Sequence, residues 1–91
     1  MKHLMNTRIE YHTSTYNEWA HCYSTDDYIN TYSGSKTISE LFTEAQNTLS
    51  ECTYGIARIY YGKYQIGTVT KKNYADVNIF YTDFGKKLSG S

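Results

Sequence analysis

The sequence predicts an α+β domain of two layers, an antiparallel sheet of five to six strands packed on one amphipathic helix in the order ββ(β)αβββ. Three observations lead there. Apolar residues alternate with a period of two in both halves of the chain, one middle segment switches to a period near 3.6, and the connections between runs are short and polar. The chain has 91 residues, and a chain of that size buries only roughly 60–65% of its unfolded surface, enough for one core. Residues 1–91 are therefore read as a single domain, with 1–6 and 85–91 expected to fray.

The first strand runs from Thr7 to Thr15, with Ile9, Tyr11 and Thr13 on one face and Arg8, Glu10, His12 and Ser14 on the other. A turn around Asn17 and Glu18 leads to a second run, Trp19 to Thr25. Its facing is open. An even loop sets Ala20 and Cys22 beside Ile9 and Tyr11, and an odd one puts Trp19, His21 and Tyr23 there. Asp26-Asp27 breaks the run, and Tyr28 to Ser33 is either a short third strand or an ordered loop. Ser33-Gly34-Ser35 then punctuates the chain.

The helix is expected at 38–52. Thr37-x-x-Glu40 has the form of a capping box, and Ile38, Leu41, Phe42, Ala45, Leu49 and Cys52 recur at helical spacing on one stripe. Gly55 suits the chain reversal beyond it. The period then returns to two. Ile56–Tyr61, Gly62-Lys63 and Tyr64–Thr70 read as a tight hairpin with Gly first in a type II′ turn. That loop pairs Tyr61 with Tyr64, Ile59 with Ile66 and Ala57 with Thr68 on the core face, and Tyr60 with Gln65 and Arg58 with Gly67 on the other. After Lys71-Lys72-Asn73, a last strand spans Tyr74–Thr82 with Ala75, Val77, Ile79 and Tyr81 on its apolar side.

Composition narrows the function. Leu, Ile, Val and Phe together number sixteen, Tyr eleven and Pro none. Tyrosine is both a good strand former and a rigid amphipathic contact residue over-represented at binding hot spots. By alternation Tyr11, Tyr61, Tyr64 and Tyr81 belong to the core, which leaves Tyr28, Tyr32, Tyr60 and Tyr74 for a surface. With Arg58, Lys63, Lys71 and Lys72 they form the expected partner-binding set. The same basic, aromatic hairpins suit a nucleic-acid platform, in which rings stack bases and cations hold phosphates. Glu40, Glu44 and Glu51, with Asp26 and Asp27 nearby in sequence, make an acidic helix face able to mimic phosphates.

No catalytic set emerges. In one loop register His12 faces His21, yet Cys22 points to the opposite side of its strand, so a four-ligand zinc site lacks its donors. Asp83-Phe84-Gly85 spells a kinase magnesium motif without the glycine-rich loop, strand lysine or catalytic loop that give it meaning. No cofactor and no metal are expected. Met1 to Asn6 lacks the apolar run of a secretory signal, no stretch is long enough to span a membrane, and two cysteines thirty residues apart suit a reducing, cytoplasmic setting.

The formal net charge is zero, but it is unevenly spread: residues 1–54 carry three basic and seven acidic side chains, net −4, and residues 55–91 carry six and two, net +4. Neutrality excludes a uniformly basic nucleic-acid-coating protein and leaves room for a basic face. The expectation is a non-enzymatic module that binds another protein and acts by steric occlusion. Its general character is that of a phage or mobile-element inhibitor of a host defence nuclease or CRISPR effector. A nucleic-acid-binding module is the alternative, and the uncovered sheet face invites a homodimer.

Overall fold

A computed structural model describes residues 6–34, 36–72 and 76–90. Strands β1 (Thr7–Asn17) and β2 (Cys22–Tyr32) form a long hairpin, and helix α1 (Ile38–Ser50) follows. Then come β3 (Tyr54–Tyr61), β4 (Tyr64–Lys71), β5 (Val77–Tyr81) and helix α2 (Asp83–Gly90). Every pairing is antiparallel, and the sheet order is β2-β1-β3-β4-β5. The α+β architecture expected from the sequence is the one observed.

The first hairpin is longer than expected, because the second and third runs are one strand. Pairing runs unbroken from Thr7↔Tyr32 to Asn17↔Cys22. Asp26 and Asp27 do not interrupt it, since at the sheet margin both carboxylates reach water while the backbone keeps its ladder. The turn falls later than expected, at residues 18–21. Asn17 Oδ1 accepts from the amides of Trp19 at 2.9 Å and Ala20 at 3.2 Å, and His21 adopts φ 55°, in the left-handed region. The even-loop facing is the one realised: Cys22 shares the side of Ile9 and Tyr11. His12 consequently lies opposite Asp27 rather than His21.

In α1 the capping box is complete. Glu40 N donates to Thr37 Oγ1 at 3.1 Å, and Thr37 N donates to Glu40 Oε1 at 2.8 Å. The apolar stripe puts Leu41, Phe42, Ala45 and Leu49 inside, each large side chain stabilising by about 1.5–3 kcal/mol. The helix stops at Ser50, before the expected Cys52. Lys71 Nζ donates to the carbonyls of Ser50 at 3.0 Å and Cys52 at 2.8 Å, satisfying acceptors that a helix end leaves open. Gly55 is a strand residue, not the reversal. A Cβ there would meet the His12 carbonyl oxygen at 2.8 Å, so glycine lets β3 close on β1.

The β3–β4 turn is as expected, with Gly62 at φ 63°, Tyr61 facing Tyr64 and Tyr60 facing Gln65. Beyond it a bulge at Ile66 shifts the register, so Ile59 faces Gly67, Arg58 faces Thr68 and Ala57 faces Val69. This corrects the expected Ile59–Ile66, Ala57–Thr68 and Arg58–Gly67 pairs. The bulge lets Ile66 and Val69, three apart, both be fully buried. Gly67 then lies against Phe42, whose Cζ would be 2.3 Å from an added Cβ.

Residues Asp83–Gly90, expected to fray from Gly85, form α2. Gly85 N donates to Thr82 Oγ1 at 3.0 Å and Thr82 N donates to the Ile66 carbonyl at 3.1 Å. A Cβ on Gly85 would sit 1.8 Å from that same carbonyl oxygen. Of the amino-terminal residues expected to fray, 1–5 lie outside the described residues, and the Asn6 carbonyl accepts from Gly62 N at 2.8 Å.

The core lies between the sheet and α1, around Ile9, Tyr11, Leu41, Leu49, Ile59 and Ile66. Among the tyrosines expected there, Tyr11 is buried and Tyr61 packs against the core, whereas Tyr64 and Tyr81 are exposed. Tyr64 lies beside the turn, and Tyr81 on the edge strand β5 lays its ring 4.5 Å from that of Phe42. Tyr32, expected at the surface, packs against the core. Helix α1 approaches β1, β3, β4 and β5, but none of its Cα atoms comes within 8 Å of β2.

Candidate functional site

Among the described residues, no helix covers one face of the sheet. Alternation puts Arg8, Glu10 and His12 of β1 on it, with Tyr60, Arg58 and Ile56 of β3 beside them. Asp27 and Ile29 of β2 flank one side, Thr68 and Thr70 of β4 and Phe80 of β5 the other. Ile29 and Phe80 are large apolar side chains left 59% and 58% exposed.

Arg8 organises the centre. Its guanidinium lies 4.1 Å from the Tyr60 ring centroid, its Nε donates to Glu10 Oε2 at 3.2 Å and its other arm donates to the Gly62 carbonyl at 3.2 Å. A cation held over one ring face with its charge partly neutralised gives a rigid, amphipathic platform. Beside it His12 Nδ1 stands 3.1 Å from Asp27 Oδ1. Three shallow hollows indent this side. One of about 430 Å³ is lined by Glu10, His12, Asp27 and Ile29, one of about 350 Å³ by His12, Ile56 and Thr70, and one of about 550 Å³ by Arg8, Thr31 and Lys63.

The partner-binding set drawn from the sequence is split by the fold. Arg58 and Tyr60 share the bare face. Tyr28 and Tyr32 lie on the helix side of β2, because their positions pair with Tyr11 and Thr7. Lys63 sits in the β3–β4 turn, 5.5 Å from the Tyr64 ring centroid, and Lys72 is exposed just past the far end of β4. An eight-residue strand holds those two lysines roughly 26 Å apart. Lys71 is engaged by the end of α1, and Tyr74 lies outside the described residues.

The helix side carries Asp26 and the glutamates of α1 and its C-cap. Tyr28 stacks on Tyr11 with centroids 4.6 Å apart. Burial raises the Tyr28 hydroxyl above the usual tyrosine range, helped by Cys52, Asp26, Glu44 and Glu51 nearby. Burial likewise pushes Tyr11 up to about 12, against the hydrogen bond it makes to Thr48 Oγ1 at 3.5 Å. The acidic face expected to mimic phosphates is mostly occupied locally. The Thr37 backbone amide, with its hydroxyl, holds the Glu40 carboxyl below its ordinary value. Glu44 pairs with Lys36 at 3.5 Å, whose ammonium sits 5.2 Å from the Tyr32 ring centroid. Glu51 is the helix C-cap through its backbone amide alone, which donates to the Thr48 and Leu49 carbonyls, and its side chain stays exposed.

The alternation puts Arg8, Glu10 and His12 on a polar strand face, where only His12 is weighed for a role, as a zinc ligand opposite His21, and that role is set aside. The signal was the alternation itself: a polar face on a central strand is informative once its neighbours are known. Ile29 and Phe80 were missed because no pattern marks an apolar residue as uncovered. Cys22 and Cys52 are free thiols. Among the described residues, no group of three or more His, Cys, Asp or Glu side chains is placed to hold a metal ion, and no helix is long and apolar enough to cross a membrane. No family model, curated protein or solved structure matches the chain.

Proposed function

We propose that the protein is a non-enzymatic module that binds another protein through the helix-free face of its sheet. One observation carries the reading: α1 covers one side only, and the other exposes Ile29 and Phe80 at its flanks around the Arg8–Tyr60 stack. Large apolar side chains left bare beside a rigid aromatic and an arginine have the makings of an interface hot spot. The charges on this face are balanced, Arg8 and Arg58 against Glu10 and Asp27, which suits the mixed polarity of a protein surface.

The nucleic-acid reading loses ground on geometry. Phosphate binding needs cations converging on one track, while Lys63 and Lys72 stand at opposite ends of β4 and Lys71 serves the helix. Binding by occlusion, as a phage or mobile-element inhibitor would block a defence nuclease or CRISPR effector, is the mode proposed for the module. Affinity capture from cell lysate with wild type beside the Arg58→Ala, Tyr60→Ala double variant tests it. The expected result is a stoichiometric protein partner held by wild type and lost by the variant. A labelled oligonucleotide bound with a steep salt slope supports the nucleic-acid alternative instead, and a dimer by light scattering that dissociates in the variant makes the partner a second copy.

A further inference from the structure

Strand β2 is an open edge. It pairs with β1 along its whole length, and no described strand pairs with its other side. The Asp26 carbonyl faces β1, where it accepts from Thr13 Oγ1 at 3.2 Å. Antiparallel alternation therefore points the backbone amides and carbonyls of Thr25, Asp27, Ile29 and Thr31 away from the sheet. Proteins ordinarily blunt such an edge with a short strand, Pro, Lys, a bulge or a cover. This strand has eleven residues without Pro, Lys or Arg, its register with β1 is unbroken, and no Cα atom of α1 lies within 8 Å of it.

What the edge does carry is Asp26 and Asp27, consecutive and therefore on opposite faces of the strand. Asp26 has no ion-pair partner among the described residues, and Asp27 meets only the half-exposed His12. An added strand alternates in the same way, so two consecutive basic residues on it would reach one carboxylate each. Two positions along, on the face of Asp27, its side chain would meet the exposed Ile29. A second copy's β2 does not fit, because it has no cation and stacking the strands centre on centre opposes carboxylates.

We propose that the β2 edge takes up an extended segment of another protein by strand addition, and that the segment sets two consecutive basic residues against Asp26 and Asp27 and an apolar one against Ile29. Main-chain hydrogen bonds hold the segment and the carboxylate pair selects it. This goes beyond the bare-face reading: the added strand would lie along the outer backbone edge of β2, past Asp27 and Ile29 at the flank of that face, while Arg58 and Tyr60 stand two strands inward on β3.

The full chain is titrated, by fluorescence anisotropy, with a labelled nine-residue peptide alternating Thr and Val around a central Lys-Lys pair, and with its Glu-Glu counterpart. The Lys-Lys peptide binds and the Glu-Glu peptide does not. Replacing Asp26→Asn with Asp27→Asn weakens binding roughly tenfold, and Asp26→Lys with Asp27→Lys moves the preference to the Glu-Glu peptide. Bound peptide slows amide exchange at Thr25, Asp27, Ile29 and Thr31. The Arg58→Ala, Tyr60→Ala variant binds the peptide as wild type does, so loss of the bare-face reading leaves this one standing. Equal binding of both peptides, no binding at millimolar concentration, or protection elsewhere overturns the proposal. So does an Asn variant that self-associates with unchanged peptide affinity, because the carboxylates would then only guard the edge.

Discussion

Strands β1 and β2 have the same length and pair residue for residue, yet one is the centre of the molecule and the other its margin. On β1, Thr7, Ile9, Tyr11 and Thr13 are buried, while on β2 every residue from Cys22 to Ile29 is exposed. Composition does not make the difference, for both strands carry tyrosine, isoleucine and threonine. Neighbours do. β1 has a strand on each side and α1 above it, whereas among the described strands β2 has β1 alone. A strand's own residues therefore say that it is a strand, and its second neighbour decides whether it is core.

The sharpest way to break this comparison is to truncate the same residue type on each strand. Ile9 is fully buried and Ile29 is 59% exposed. Ile9→Ala is expected to cost about 2–5 kcal/mol through lost burial and the cavity left behind, and Ile29→Ala to stay within about 0.5 kcal/mol. Urea denaturation of the two variants measures both. Equal losses would mean that β2 is covered in solution by something the fold does not show.

A second contrast uses the Tyr11–Tyr28 stack, which bridges the two strands. Tyr11 is raised to about 12 by burial, so the folded state holds its phenolic proton more tightly than the unfolded chain, where tyrosine titrates near 10. The stability this contributes is complete below pH ~10 and is lost as pH climbs toward 12. Denaturation between pH 9 and 12, with tyrosinate absorbance followed in parallel, is expected to show that fall. Tyr11→Phe makes the fall shallower, and Tyr28→Phe, at the more exposed partner, changes it less. The same slope in wild type and Tyr11→Phe would put the alkaline loss on other groups.

The contrast also explains what was legible in the sequence. The helix was legible because both its signals are local: Thr37 and Glu40 cap each other three residues apart, and the stripe from Leu41 to Leu49 spans two turns. Strand β1 was legible because being half-buried imprints alternation. Strand β2 was misread because an edge exposed on both faces imprints no alternation, so Asp26-Asp27 looked like a break. The Ile66 bulge was hidden for another reason. It answers to Phe42, which needs the space over Gly67, and a contact between residues 25 apart leaves no mark on either segment. The binding set came apart on the same principle. Tyr28 and Tyr60 read alike in sequence, and only the register put them on opposite faces.

The smallest expected effect concerns the polar side-chain contact bridging the two strands, His12 with Asp27. Its side chains are 49% and 69% exposed, and pairs in that setting contribute roughly 0–1 kcal/mol at most. Asp27→Asn is therefore expected to move the denaturation midpoint by less than about 0.5 kcal/mol of stability, and the β1–β2 ladder holds through its backbone bonds and the Tyr11–Tyr28 stack. A loss above about 1 kcal/mol would show that Asp27 buttresses the hairpin and is not held in reserve at a free edge. If the loss is as small as expected, the carboxylate is idle in folding, and any change in peptide binding on its removal belongs to recognition alone.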